Sequence, residues 1–289
     1  MPRRLLTAAC AAALCVAPRA AEAQRIAPGG GETESRVLRV CADPNNMPFS
    51  NENRDGFENR IAALLARSTH ARVQYTWWAQ RRGFIRNTLG ARSCDVIMGM
   101  PTRSDMVRTT RPYYRSTYVF LYRKDRGYHI ASLDDAELRK LRIGVHFIGA
   151  DYGNPPVAQA LARRGMAKNV VGYSIYGDYS KPNPPAALVD AVARGDVDVA
   201  IIWGPFAGYF APLEHVPLEI VPVQPETDAG SLRYAFDISV AVRRGDDSLA
   251  TALQRAMDTN RDAIQRILDR YHVPRPELPI ADARAHGGE

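Results

Sequence analysis

The residues able to do chemistry in this chain form no catalytic set. Six histidines are scattered along it, and no two stand at the spacing of a metal-ligand pair. There is no Gly-x-Ser-x-Gly elbow, no phosphate-binding glycine loop and no Cys-x-x-Cys-His haem motif. The reading is therefore of a non-enzyme without a cofactor or metal. The side chains suited to holding something are another matter. Trp78, Tyr114 and Trp203 fit a cleft for an apolar or flat ligand, or for a protein segment. Equally, Tyr113, Tyr114 and Tyr118 would serve to cover a sheet edge. Trp77 and Trp78 end a strand together, so alternation should bury one and expose the other. Asn46, Phe49, Met100, Thr102 and His146 lie at strand ends or turns beside the same cleft. A lone histidine such as His146 is more often a satisfied structural residue. Asp43 has acid–base capacity, but an aspartate before proline is first a turn former. Arg81 and Arg82 open a helix, where cations are unfavourable. That placement points to a carboxylate or a partner, against the alternative of a solvated rim.

The elements that must position these groups read as two α/β halves. Val37 to Ala42 is a buried strand followed by turn chemistry at Asp43–Phe49. Phe57, Ile61, Leu64 and Leu65 mark an amphipathic helix. Val73 to Trp78 is the next strand, Phe84 to Leu89 a second helix, and Asp95 to Gly99 a third strand. This βαβαβ order implies a parallel sheet covered by helices. The pattern restarts with a strand at Arg142–Val145, a helix at Val157–Arg164 and a strand at Val170–Tyr173. A helix at Ala186–Arg194 and a strand at Val197–Ile202 complete it. The helix end, turn and Asp-led strand of 89–99 echo those of 193–202. Tyr118 to Lys124 leaves the first half, Phe236 to Val242 returns to it, and one long helix, Leu249 to Tyr271, follows. Two crossings permit hinge motion about a central cleft. Lobe one is expected to comprise 36–122 and 236–273, lobe two 123–235, with 24–35 a flexible lead-in and 274–289 a tail.

The ends and the composition set the compartment. Arg3 and Arg4, the apolar Leu5–Ala17 and the small-x-small site Ala21-Glu22-Ala23 read as a signal peptide over 1–23. No later stretch is long and apolar enough to cross a bilayer. The expectation is a soluble monomer exported to the periplasm, of ~265 residues, enough for two cores. Arg3, Arg4, Arg19 and Glu22 leave with the peptide, a net +2, which takes the charge from +7 to +5. That mild excess has no basic run in it, which excludes nucleic acid, and it is compatible with an acidic protein partner. Of four cysteines, Cys41 and Cys94 remain in an oxidising compartment, where a disulfide is allowed. Parallel register would separate them beyond the ~7 Å limit for a bridge, so their pairing stays open.

The order of elements resembles that of type II periplasmic binding proteins. Gly99-Met100-Pro101-Thr102 through Arg111-Pro112-Tyr113 looks like the lobe-one pocket segment of polar amino-acid binders. Gly195-Asp196-Val197-Asp198 looks like their lobe-two segment. Two departures follow from that alignment. Met106 stands where those binders carry the arginine that clamps a carboxylate, and Trp203 stands where they carry an aspartate for the ammonium. An ordinary amino acid is thus a poor candidate ligand. Arg103, Asp105 and Arg108 are the nearest substitutes.

A narrower resemblance rests on Cys41–Asn51, Gly56–Asn59, Tyr75–Phe84 and Thr110–Tyr118, which look like the MxaJ/XoxJ group of methanol dehydrogenase gene clusters. It implies an accessory protein of methanol oxidation and methylotrophy. Its partner would be a periplasmic pyrroloquinoline-quinone alcohol dehydrogenase, with that enzyme's cytochrome c. Arg81, Arg82, Tyr113, Tyr114 and Arg115 would be the contacts at the lobe-one rim. A transport receptor for a small non-amino-acid solute and a dehydratase are the other classes that the fold allows.

Overall fold

The computed structural model describes residues 36–147, 155–175, 179–228 and 232–276. The expected signal peptide, lead-in and most of the tail lie outside them. Along the chain run β1 (Arg36–Ala42), the two-residue strands β2 (Asn45–Asn46) and β3 (Ser50–Asn51), α1 (Phe57–Ser68), β4 (Ala71–Trp77), α2 (Phe84–Asn87) and β5 (Val96–Pro101). Then come β6 (Arg108–Thr109), β7 (Tyr114–Arg123), β8 (Ile143–Phe147), α3 (Pro156–Arg163), β9 (Val170–Ser174) and α4 (Ala187–Arg194). The chain continues through β10 (Val199–Trp203), α5 (Gly204–Phe210), β11 (Leu218–Pro222), β12 (Ala235–Val242), α6 (Asp247–Thr259) and α7 (Arg261–Arg270).

The sheet order is β4-β1-β5-β12-β7-β10-β8-β9, with β11 on β7 and β6 on β12. Strands β4, β1 and β5 are parallel, as are β10, β8 and β9. Each set follows from a βα repeat; β5, β8 and β10 are near-continuous apolar runs, as burial on both faces requires, while β4 alternates. Ten-residue β7 joins them. Its Tyr114–Thr117 half pairs with β12, and its Tyr118–Tyr122 half pairs with β10. Two connections therefore pass between the lobes, side by side at Tyr118.

The echo between the halves has a common physical basis. In lobe one Arg39 forms a fork on Asp95, Nε to Oδ2 at 2.8 Å and Nη2 to Oδ1 at 2.7 Å, while Asp95 N donates to Arg39 O. In lobe two Arg142 grips Asp198 in the same way, Nε to Oδ2 at 3.1 Å and Nη2 to Oδ1 at 2.8 Å, and Asp198 N donates to Arg142 O. Each arginine also reaches the carbonyl three residues before its aspartate, Arg92 O and Gly195 O. A planar guanidinium can fill both roles at once. The fork sets the register at which the third strand of each lobe enters.

Two expectations need correction, and a pairing left open is decided. The predicted second helix shrinks to the single turn α2, because Thr88, with φ of −118° and ψ of −81°, leaves helical geometry. The long terminal helix is two helices, broken at Asn260, whose φ of −107° and ψ of 19° are not helical; its Nδ2 bonds Ala256 O and Ser68 Oγ instead. Cys41 and Cys94 form a disulfide with Cα atoms 5.5 Å apart. The register argument failed because Ser93 and Cys94 do not extend β5 in line. They cross the face of β1, so that Thr76 on the far strand β4 donates to Ser93 O. Elements β11 and α5 were not foreseen; α5 carries two glycines and a proline in seven residues, Gly204-Pro205-Phe206-Ala207-Gly208-Tyr209-Phe210, a poor helical pattern by propensity.

The disulfide spans a sequence separation of 53 residues and is buried with Phe84, Leu89, Ile97, Val107 and Ala241. The double substitution Cys41→Ala, Cys94→Ala is expected to cost about 4 kcal/mol of stability, read as a lower urea midpoint. Equal midpoints for the two proteins would contradict this.

Candidate functional site

A cavity of about 320 Å³ opens where the carboxyl ends of β1, β5, β8 and β10 converge, the usual ligand position in an open α/β sheet. Lobe one contributes Asn46 and Phe49 from the β2–β3 turn, Glu58 from α1, Gln80, and Gly99 and Pro101 from β5. Strands β7 and β12 add Tyr114, Tyr118, Phe236 and Ile238. Lobe two contributes His146 from β8, Pro155 and Pro156 at the start of α3, Ile175, Trp203 and Phe206.

The walls are aromatic and continuous across the lobes. Phe49 meets Phe206 edge-on at 5.1 Å, Trp203 meets Tyr118 at 5.4 Å, and Trp203 meets Phe236 at 5.9 Å. On one side the lobes touch directly, with Asn45 Nδ2 donating to Lys181 O at 2.8 Å and Tyr179 OH to Asp43 Oδ2 at 3.4 Å. Asp43 is the turn former: Oδ1 accepts from Asn45 N and Oδ2 from Gln80 N. Burial raises its pKa, and those backbone donors temper the rise.

Two titratable groups sit in the wall. Glu58 is 8% exposed and has no hydrogen-bond or ion-pair partner for its carboxyl among the described residues. Desolvation pushes its pKa up to about 8. Its Oε1 lies against the backbone of Gly99, where any Cβ would collide with it. His146 Nε2 lies 3.2 Å from Pro185 O. Burial lowers the His146 pKa to about 4, so the ring is neutral at physiological pH. A carbonyl only accepts, so Nε2 carries the proton and Nδ1 is a bare acceptor. Nδ1 is buried without a partner, as is Asn46 Oδ1. Among the described residues no arginine or lysine lines this cavity. Among the described residues no His/Cys/Asp/Glu group could hold a metal ion.

Asn46, Phe49, Tyr114, His146 and Trp203, all singled out from sequence, come together here. The others do not. Met100 alternates away from Gly99 and Pro101 to pack beside the disulfide. Thr102 bonds Ser239 Oγ at 2.7 Å. Tyr113 and Tyr114 are buried rather than exposed on a rim, with Tyr113 OH donating to Met98 O. Arg115, 15% exposed, is taken by Glu226 and Asp237; it ties β7 to the returning chain and is no free rim cation. Trp78, 44% exposed, and the exposed Arg81 and Arg82 stand outside the cavity. Met106 is 67% exposed, and Arg103, Asp105 and Arg108 do not reach the cavity either. Glu58, Gln80, Phe206 and Phe236 were missed. Glu58 had one legible signal, a carboxylate on the buried side of an amphipathic helix.

Residues 38–274 match the family of bacterial extracellular solute-binding proteins, family 3. The chain belongs to this family. It is 30% identical over 285 residues to Protein MoxJ of Methylorubrum extorquens, covering 94% of this chain and 92% of that protein. The crystal structure of MxaJ from Methlophaga aminisulfidivorans MPT superposes with a TM-score of 0.73 at 26% identity, covering 83% of this chain and all, 100%, of that one. The crystal structure of the periplasmic binding protein XoxJ from Methylobacterium extorquens AM1 gives 0.67 at 31% identity, with 84% and 100% covered. The chain is thus homologous to the MoxJ, MxaJ and XoxJ proteins and has the type II periplasmic-binding-protein fold. Among the described residues no helix is long and apolar enough to cross a membrane.

Within this family fold the cleft has little with which to hold an anion. The helix that starts at its edge, α3, does so with Pro155 and Pro156, which have no N–H to offer. Glu58 makes the cost of charge here measurable. Its unfolded value of 4.5 rises to about 8 on folding, so between those values the unfolded chain has lost a proton that the native chain retains. Stability contributed by the neutral carboxyl is therefore complete below pH ~4.5 and lost as pH rises toward 8. Glu58→Gln is expected to stabilise the protein by about 3 kcal/mol at pH 7 and by under ~1 kcal/mol at pH 5. Urea unfolding at the two pH values checks this. A gain of the same size at both would refute it.

Proposed function

We propose that this chain is a periplasmic accessory binding protein for a pyrroloquinoline-quinone-dependent methanol or alcohol dehydrogenase, acting in its maturation or activation. The observation that supports it most is the similarity to MoxJ, MxaJ and XoxJ over most of the chain, combined with a cleft whose described lining holds no arginine or lysine. We assign lobe one to 36–122 and 236–273 and lobe two to 123–235, joined at Tyr118, and residues 1–23 to an export signal. With Tyr113, Tyr114 and Arg115 buried or paired, the proposed partner surface contracts to Trp78, Arg81 and Arg82 at the cleft rim. Exposed tryptophan and arginine are the residue types that anchor protein contacts, and a transient contact needs only a small area.

A second reading, a receptor for a small non-amino-acid solute, is favoured by the cavity itself, with its buried acceptors and aromatic walls. A dehydratase is disfavoured because its carboxylate substrate would find no cation among the described lining residues.

Calorimetry against the twenty standard amino acids is expected to show no dissociation constant at or below ~1 μM, about −8 kcal/mol. One such value would restore the amino-acid receptor. The partnership itself is tested by gene deletion, with periplasmic dehydrogenase activity as the readout. Activity should fall in the deletion strain, and complementation with the folded Arg81→Ala, Arg82→Ala variant should fail to restore it. Unchanged activity on deletion would refute the accessory role; full rescue by the variant would reject the rim as its surface.

A further inference from the structure

The cleft described above has an unusual polar balance for its size, which is at the small end of ligand pockets (~300–1,000 Å³). Three of its polar side chains are nine-tenths buried or more: Asn46, Glu58 and His146. Two of the unpaired atoms are acceptors, Asn46 Oδ1 and the bare His146 Nδ1, while the Glu58 carboxyl, without a partner among the described residues, donates its O–H when neutral and only accepts once ionised. Buried acceptors without donors are costly, and two of them beside a carboxyl that becomes an anion near pH 8 favour an occupant that brings N–H donors. The surrounding rings of Phe49, Trp203 and Phe206 give the cleft apolar walls, suited to an apolar or flat body.

We infer that the cleft binds a small organic cation, a protonated amine with an apolar or flat body and no carboxylate. Its N–H groups would donate to acceptors of the Asn46, Glu58 and His146 set, and its body would rest on Trp203 and Phe206. This assignment goes beyond the dehydrogenase partnership and does not depend on it. A receptor for an amino acid would need a cation for the carboxylate, which the lining lacks among the described residues; an amine without that group needs none.

The cleft has a pH signature as well. An ammonium is best held by the ionised carboxyl, so affinity should rise as pH increases from 6 to 8, where Glu58 gives up its proton. The groups that interact electrostatically with Glu58 are Tyr75, Tyr113 and Tyr114, from β4 and the start of β7. All three are shifted above the ordinary tyrosine value and stay neutral over that range. His146, at about 4, also keeps its charge state.

The test is calorimetric titration of the purified protein lacking residues 1–23 with benzylammonium, benzyl alcohol and benzoate, which share one ring and differ in the head group. Benzylammonium is expected to bind at least about tenfold tighter than benzyl alcohol, as a charge-assisted hydrogen bond provides, and benzoate not to bind. Glu58→Gln should abolish the preference for ammonium over alcohol while leaving the fold intact by circular dichroism. Trp203→Ala should weaken both ligands together and leave their ratio unchanged. An absence of benzylammonium binding at millimolar concentration, a preference for the alcohol or benzoate, or a preference that survives Glu58→Gln would each overturn the assignment. None of these outcomes bears on the deletion phenotype, so failure here is separable from failure of the partnership.

Discussion

Strand β7 has to satisfy the backbone groups of three neighbours, and the geometry of the whole cleft follows from how it does so. At Tyr118 its N–H donates to Tyr234 O, while its carbonyl accepts from Val223 N. Both ends of the returning segment are thereby held against a single residue. Thr117 Oγ1 adds a bond to Tyr234 O, and Arg115 adds charge-assisted bonds to Glu226 and Asp237. These groups are buried or nearly so, so leaving any of them unpaired would be costly. The two crossings are thus fixed next to one another, which leaves rotation about that line as the soft motion between lobes. The cavity lies beside it, with Tyr114 and Tyr118 of β7 in its wall.

Within each lobe the same problem, aligning a third parallel strand with the first, is solved by the same arginine–aspartate fork. The two forks differ in setting. Asp95 is held by Arg243 as well as Arg39, whereas Asp198 has Arg142 in a more exposed position. Burial pushes Asp95 up, but its two guanidinium partners outweigh that and leave its pKa below the ordinary value. The lobe-one fork is thus locked into the core that carries the disulfide, while the lobe-two fork sits at the surface.

The order of strands and helices was largely legible because parallel strands buried on both faces read as short apolar runs, and because glycine or aspartate punctuation separates them. The places where the reading failed share a cause. Arg115, Tyr113 and Met100 look like surface or pocket residues by type, but which face they present depends on a phase of strand alternation that is set by pairing. The α2 and Cys94 errors came from assuming that the chain between a helix and a strand continues in line. It crosses β1 instead, and no local pattern announces that.

By itself the sequence determined the two-lobed α/β plan, the likeness to the MxaJ/XoxJ group, and which residues, Met106 and Trp203, align with the charged clamps of amino-acid binders. These are local or pairwise properties: periodicity, punctuation, and residue type at an aligned position. Only the tertiary structure decided that Glu58, Asn46 and His146, from three separate elements, surround one aromatic cavity. It also decided that Arg115 is spent on the junction and that Cys41 meets Cys94. Each of those depends on distances between residues 12 to 122 positions apart. Such distances are set by the packing of whole elements, to which the type of any single residue contributes only one term.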